Sequence, residues 1–182
     1  MIRAFIALPL PEEVRTQLAV VQQMLPLPRR IPSEDMHLTL VFLGEQPEPV
    51  LQEVHGALET VRANPFEMRL SGLAHFGGMK PRIVYAGVVP CEALMQLQSK
   101  VENSIRRIGV EVEAKRFVPH VTLGRLRIGE IQPAHLEHAL VACAGFSAGP
   151  FTVDRFTLYE SRLGPKGPRY DELAEYPLRT GD

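Results

Sequence analysis

The tetrapeptide His-x-Thr-Leu occurs twice in 182 residues, as His37–Leu40 inside "MHLTLVFLG" and as His120–Leu123 inside "FVPHVTLGRLR". Both runs are rich in Val, Leu and Phe, which suit a pleated, half-buried surface, so both read as strands. Side chains alternate faces along a strand. His37 and Thr39 then share one face, opposite Leu38, Leu40 and Phe42; His120 and Thr122 share one face, opposite Val121 and Leu123. The apolar faces are expected to pack on helices and the His/Thr faces to line a cleft. A strand gains nothing structural from His where Val packs better, and two copies at equivalent places are harder to explain by packing than one.

The rest of the chain reads as two similar halves. "RAFIAL" predicts a first strand that runs into a helix after Pro9 and Pro11, with Val14, Leu18, Val21 and Leu25 on one face. Pro26, Pro28 and Pro32 enclose a loop carrying Arg29 and Arg30. The first His-x-Thr-Leu strand, closed by Gly44, leads to a helix with Val50, Val54, Leu58 and Val61 inward. Two strands, "FEMRLSGLAHF" and "RIVYAGVV", follow across the turn "GGMKP". The order then restarts: a helix with Leu94, Leu97, Val101, Ile105 and Ile108 in register and Gly109 as its stop, the second His-x-Thr-Leu strand, a helix opened by Pro133, and the strand-like stretches "PFTVDRFTLYESRL" and "PRYDELAEYPL". Pro81-Arg82 and Pro168-Arg169 precede the last strand of each half. This pattern predicts an internal duplication and an α+β fold of two pseudo-symmetric lobes.

Composition narrows the function. A hydrophobic fraction of 45% and a charged fraction of 23% are ordinary for a soluble globular domain, and no apolar run has the length to span a bilayer. The net charge of −1 gives no global attraction for long nucleic acid, although a few local arginines suffice to hold one or two phosphates. Cys91 and Cys143 form no C-x-x-C motif, which argues against a disulfide framework or zinc cluster and for a reducing cytoplasm.

Two opposed histidines have a clear chemical use. Each titrates near neutrality, so one can act as base while the other acts as acid, and a threonine hydroxyl two residues away can hydrogen-bond a phosphoryl oxygen. Opening a cyclic phosphodiester needs a water deprotonated on one side and an alkoxide protonated on the other. A metal site wants three or four ligands, yet no carboxylate or cysteine recurs beside these histidines: Asp35 lies two residues before His37, and Val118 holds that place before His120. His55, His135 and His138 fall on predicted helices, and His75 beside Phe76 reads as structural.

With these residues in view, the chain resembles the two-histidine (2H) phosphoesterases. In "RAFIALPLPEEV", "MHLTLVFLGE", "PRIVYAGV", "FVPHVTLGRLR" and "LYESRLGPKGPRYDELAEYPL" it resembles their RNA 2′,3′-cyclic phosphodiesterase branch, also called the 2′-5′ RNA ligase family. The resemblance covers nearly the whole chain. It implies a single domain over 1–182 made of two intertwined lobes, each an antiparallel sheet with helices on its outer face and the active-site cleft between lobes. It also implies hydrolysis of terminal RNA 2′,3′-cyclic phosphates to 2′-phosphomonoesters without metal or other cofactor, with His37 as proton donor to the 3′ oxygen and His120 as proton acceptor from water. Thr39 and Thr122 would hold the phosphate. Arg125 matches a phosphate-contacting position, but alternation sends it to the face opposite His120 unless Gly124 permits a bulge. Tyr170, in "GPRY", and Phe42 are weaker candidates for stacking on a base, and Phe42 falls by alternation into the core. The expected partners are RNA 3′ ends or oligonucleotides bearing a cyclic phosphate, with no membrane partner, and the expected state is a cytoplasmic monomer. Alternatives are 2′-5′ ligation at the same site, a 2H enzyme for small cyclic nucleotides, and a non-catalytic RNA-end binder.

Overall fold

A computed structural model describes residues 1–180. In chain order these form β1 (Ile2–Pro9), α1 (Glu12–Gln23), β2 (Arg29–Arg30), β3 (His37–Gln46), α2 (Glu48–Leu58), β4 (Phe66–Phe76), β5 (Ile83–Val88), α3 (Glu92–Arg107), β6 (His120–Arg125), α4 (Pro133–Ala142), β7 (Ser147–Val153), β8 (Arg155–Gly164) and β9 (Gly167–Pro177). The apolar stripes read from the sequence do face inward: Val14, Leu18, Val21 and Leu25 from the first helical region and Leu94, Leu97, Val101 and Ile105 from α3 are buried in one continuous core. Three local expectations change. The loop enclosed by Pro26, Pro28 and Pro32 contains the short strand β2, which pairs with β6; β6 starts only at His120; and the stretch 151–163 divides at Asp154 between β7 and β8.

All strand pairs are antiparallel, in the order β7-β4-β5-β6-β3-β1-β8-β9 with β2 added on β6. The two lobes are therefore halves of one curled sheet. They meet at the β3–β6 seam, where the register pairs Leu38 with Val121. Read outward from that seam, β3-β1-β8-β9 mirrors β6-β5-β4-β7. The repeat that fits this arrangement is β1-α1-β3-α2-β4 followed by β5-α3-β6-α4-β8. Its boundary differs from the one expected from sequence, because Pro81-Arg82 lead into β5 in the sheet interior whereas Pro168-Arg169 lie within edge strand β9. The last strand of each repeat pairs with the first strand of the other, β4 with β5 and β8 with β1, so the halves interlock.

Each His-x-Thr-Leu strand carries a bulge at its leucine. Across β1–β3, Ile6 faces Val41 and Ala7 faces Thr39, leaving Leu40 as the extra residue; across β5–β6, Val84 faces Gly124 and Tyr85 faces Thr122, leaving Leu123 extra. A bulge disrupts the ladder locally and frees backbone groups that need other partners. Buried glutamines supply them from opposite helices: Gln98 of α3 donates to the Leu40 carbonyl at 3.3 Å, and Gln22 of α1 donates to the Leu123 and Ile31 carbonyls, both at 2.8 Å. The two side chains are only 7% and 4% exposed. Gly124 follows the second bulge because β2 passes close by; a Cβ there would meet the Arg29 carbonyl and a Leu27 methyl, each at 2.9 Å.

Gln98→Leu removes the amide donor to the Leu40 carbonyl, and Gln22→Leu removes the amide donor to the Ile31 carbonyl and one of two donors to the Leu123 carbonyl, the other being the Ile31 N–H at 3.0 Å. Gln22→Leu and Gln98→Leu are each expected to lower stability by about 1–3 kcal/mol in urea denaturation; an unchanged midpoint would remove the glutamines from this role.

Candidate active site

The seam at Leu38–Val121 sets the two His/Thr pairs on neighbouring strands with their polar side chains on the same face of the sheet. Both imidazoles are held alike. His37 Nδ1 lies 2.6 Å from the Asp35 carbonyl and His120 Nδ1 lies 2.7 Å from the Val118 carbonyl, each two residues upstream. A carbonyl only accepts, so each Nδ1 carries the proton and donates, leaving Nε2 as the free acceptor. The Thr39 hydroxyl sits 3.1 Å from His37 Nε2 and donates to it. The missing counterpart of Asp35 is thereby explained: the repeated contact uses the main chain, so the side chain at Val118 is free to differ.

Each imidazole also stands in an aromatic setting. His37 lies 4.9 Å from Phe5 and 5.2 Å from the Tyr170 ring, the latter edge-on at 88°. His120 lies 4.9 Å from Phe76, at 85°, and 5.4 Å from Tyr85. Burial among these rings disfavours the imidazolium. It lowers the His37 pKa to about 4, with the Asp35 carbonyl opposing and the charges of Arg125 and His120 adding to the depression. The His120 pKa is also lowered, chiefly by burial, with Lys115 and Arg125 contributing.

Arg125 thus acts electrostatically on both histidines, and its charge and hydrogen bond act on the Tyr170 phenol as well. The Leu123 bulge is the reason: it cancels the odd spacing from His120 and turns Arg125 to the His/Thr face. Its β2 neighbour Arg29 is instead neutralised by Glu130 through bonds of 2.9 and 2.6 Å. The matching bulge at Leu40 corrects the expectation for Phe42. Leu40 and Val41 are both buried, and Phe42 emerges 60% exposed, with its ring 6.3 Å from Phe5. Tyr170 is half-buried in the cluster of Phe5, Ala7 and Tyr159, and a recess of about 220 Å³ beside His37 is lined by Asp35, Tyr159 and Tyr170 among others.

The remaining histidines stand elsewhere. His55 contacts the Tyr176 hydroxyl at 2.8 Å and His75 contacts Glu137 at 2.9 Å, while His135 and His138 are exposed on α4. Among the described residues, no group of three His, Cys, Asp or Glu side chains is arranged to hold a metal ion.

Comparison with known proteins bears on this geometry. The family model of the 2′-5′ RNA ligase superfamily matches residues 10–165. The chain belongs to that superfamily. A Thermotoga maritima protein named RNA 2′,3′-cyclic phosphodiesterase is 35% identical over 98% of this chain and 97% of its own. A Thermus thermophilus protein of the same name is 32% identical over 97% of this chain and 90% of its own. The crystal structure of Escherichia coli LigT complexed with 3′-AMP superposes with a TM-score of 0.81 at 26% identity, covering 98% of this chain and 99% of that one.

In this 2H superfamily member the residues that the sequence pattern points to are His37, Thr39, His120, Thr122, Arg125 and Tyr170. The structure brings both histidines, Arg125 and Tyr170 into electrostatic or ring contact, with Thr39 bonded to His37 and Thr122 on β6 opposite Tyr85. It adds Phe5, Phe76 and Tyr85, which come from strands distant in sequence and are recognisable only from the pairing. Gln22 and Gln98 did leave a signal, as amides at corresponding places on the apolar faces of α1 and α3.

Burial of His37 carries a pH dependence. An unfolded histidine titrates near 6.5, so between pH 6.5 and about 4 the unfolded chain holds the extra proton. The contribution of His37 to stability is therefore intact above pH 6.5 and declines as pH falls toward 4. Urea denaturation at pH 7 and pH 5 should show a larger loss for the wild type than for His37→Gln; equal losses would contradict the buried neutral imidazole.

Proposed function

We propose that this chain is an RNA 2′,3′-cyclic phosphodiesterase that uses His37 and His120 as a metal-independent acid–base pair. The observation that carries the reading is the duplicated geometry: two Nδ1-anchored imidazoles on adjacent strands, with Thr39, Thr122 and Arg125 on the same face. Threonine hydroxyls and a guanidinium are donors suited to the non-bridging oxygens of a phosphodiester. His120 Nε2 takes a proton from water as the water oxygen attacks phosphorus. The bond from phosphorus to the ribose 3′ oxygen breaks, and that oxygen takes the Nε2 proton of His37. The product is a 2′-phosphomonoester with a free 3′ hydroxyl, and solvent exchange resets both imidazoles.

The assignment of His37 as donor and His120 as acceptor follows the family resemblance; with a pKa lowered to about 4, His37 is neutral at pH 7 in the free site and must gain its proton as the substrate binds. The negative charge of the bound cyclic phosphate offsets the repulsion from Arg125 and raises the His37 pKa in the complex, so the acid is loaded by the substrate itself. A single domain of two interlocked halves is the unit that suits this chemistry, since each half contributes one imidazole. RNA 3′ ends are the proposed substrates and the cytoplasm the proposed compartment, in keeping with the free thiols of Cys91 and Cys143. Attack by a ribose 5′ hydroxyl in place of water is the same chemistry and yields a 2′-5′ linkage.

His37→Ala and His120→Ala are each expected to lower kcat/KM on a short RNA ending in a 2′,3′-cyclic phosphate by about 10²–10⁴-fold, with the fold retained by circular dichroism. A folded variant with wild-type turnover would eliminate that histidine. Arg125→Gln should act mainly by raising KM, and the wild-type pH–rate curve should be bell-shaped; a single sigmoid would argue against paired roles.

A further inference from the structure

Two loops leave the floor of the site on the β5–β6 side. Residues 77–82 start directly after Phe76, whose ring stands against His120, and end at Ile83, the ladder partner of Arg125. Residues 126–132 start directly after Arg125 itself. Main-chain bonds tie the loops to each other and to the sheet. The Leu126 N–H donates to the Arg82 carbonyl at 2.7 Å, the Arg82 N–H to the Phe76 carbonyl at 2.9 Å and the Lys80 N–H to the Gly77 carbonyl at 2.9 Å. The first turn requires glycine: Gly77 has φ +110°, and a Cβ there would overlap the Lys80 carbonyl. Between the loops lies a recess of about 190 Å³.

The recess combines apolar walls with a cationic rim. Met79, Pro81, Leu126 and Ile128 line it, together with Lys80 and Arg127. Met79 is 82% and Ile128 54% exposed, so both apolar side chains stay open to a ligand. Across the two loops the charged residues are Lys80, Arg82, Arg127 and Glu130. Glu130 is engaged by Arg29 at 2.9 and 2.6 Å and by the Arg127 N–H at 2.7 Å, and the Arg127 charge acts on it as well. Among the described residues the Lys80 and Arg82 side chains have no ion-pair or hydrogen-bond partner. Cations alone would hold any polyanion. Cations around open apolar side chains suit a ligand that offers a phosphate and a flat apolar group side by side, which is the chemistry of a nucleotide. The recess begins one residue beyond Arg125, so a chain whose terminal phosphate lies between the histidines can continue into it.

We propose that this recess is the subsite for the nucleotide that precedes the cyclic-phosphate nucleotide in the RNA chain, with its phosphate held by Lys80 and Arg127 and its base against Met79 and Ile128. This rests on the cyclic phosphodiesterase reading and adds to it a preference for RNA chains over mononucleotides. The other half of the duplication has no equivalent: β3 continues in the sheet to Gln46 and passes to α2 through Pro47, whereas β6 leaves the sheet after Arg125. The bound chain therefore has one exit from an otherwise near-symmetric site. The main-chain bonds that fix both loops make the recess preformed, so little ordering is lost when a nucleotide enters it.

The test compares two ligands by calorimetry, adenosine 2′-monophosphate and the dinucleotide ApA carrying a terminal 2′-phosphate. The wild type should bind the dinucleotide about fivefold to fiftyfold more tightly, the range of one added phosphate contact with charged donors. The logarithm of its affinity should also fall more steeply with the logarithm of salt concentration, by about 0.7 for each added phosphate contact. Lys80→Gln combined with Arg127→Gln changes only exposed side chains and is expected to fold. It should erase the preference and the added slope while leaving mononucleotide affinity unchanged, whereas Met79→Ser with Ile128→Ser should reduce the preference and keep the slope. No preference in the wild type, a preference that survives Lys80→Gln with Arg127→Gln, or an equal loss for both ligands would overturn the proposal. Hydrolysis of the two matching 2′,3′-cyclic phosphates by the same protein separates the failures. Turnover of both without a dinucleotide preference defeats the subsite alone, and a preference that depends on Lys80 and Arg127 without turnover defeats the hydrolytic reading alone.

Discussion

A backbone carbonyl released from a sheet must find a donor inside the protein, and in this fold a buried glutamine provides one on each half. Gln98 binds the Leu40 carbonyl and Gln22 binds the Leu123 carbonyl, so the helix of each repeat secures the bulge in the His-x-Thr-Leu strand of the other. The bulges decide which side chains face the cleft. Without the extra residue at Leu123, Arg125 would turn to the helix side, where a guanidinium is expensive to bury. Without Leu40 as an extra residue, Phe42 would enter the core. The polar and aromatic floor of the site thus rests on amide-to-carbonyl contacts beneath it, joined at Leu123 by the Ile31 N–H at 3.0 Å.

The histidines have a similar logic. Anchoring Nδ1 on main-chain carbonyls fixes tautomer and direction without using a side chain, which is why the motif requires no carboxylate beside either imidazole. Burial beside the aromatic rings disfavours the charged form of both imidazoles, while Arg125 adds a positive charge that makes an anion welcome. A site built this way is poised rather than charged. Its acid becomes available when an anionic ligand enters, and this links ligand binding to protonation.

The element order and the buried faces were readable because they follow from periodicity, and α1, β3, β4, α3 and α4 fall close to where spacing and prolines predict them. The His/Thr faces were readable for the same reason, since both His/Thr pairs precede the bulges. Beyond Leu40 and Leu123 alternation fails, and the facing of Phe42 and Arg125 depends on register with β1 and β5, which local pattern does not contain. Gly124 did hint at the second bulge; nothing in "LTLVFLG" announces the first, because Val41 tolerates it without a glycine. The boundary of the repeat is hidden from the sequence for a related reason. Strand swapping between halves places β4 beside β5 and β8 beside β1, so neighbours in sequence and equivalents in space are different strands.

The central claim is that the paired imidazoles open a cyclic phosphate toward its 3′ oxygen. The most direct measurement incubates the protein with an oligoribonucleotide ending in a 2′,3′-cyclic phosphate, in the presence of EDTA, and identifies the product end by chromatography against 2′- and 3′-phosphate standards. The account predicts a 2′-phosphate. A 3′-phosphate, turnover that stops with EDTA and returns with added zinc, or an unchanged substrate in the presence of folded protein would contradict it.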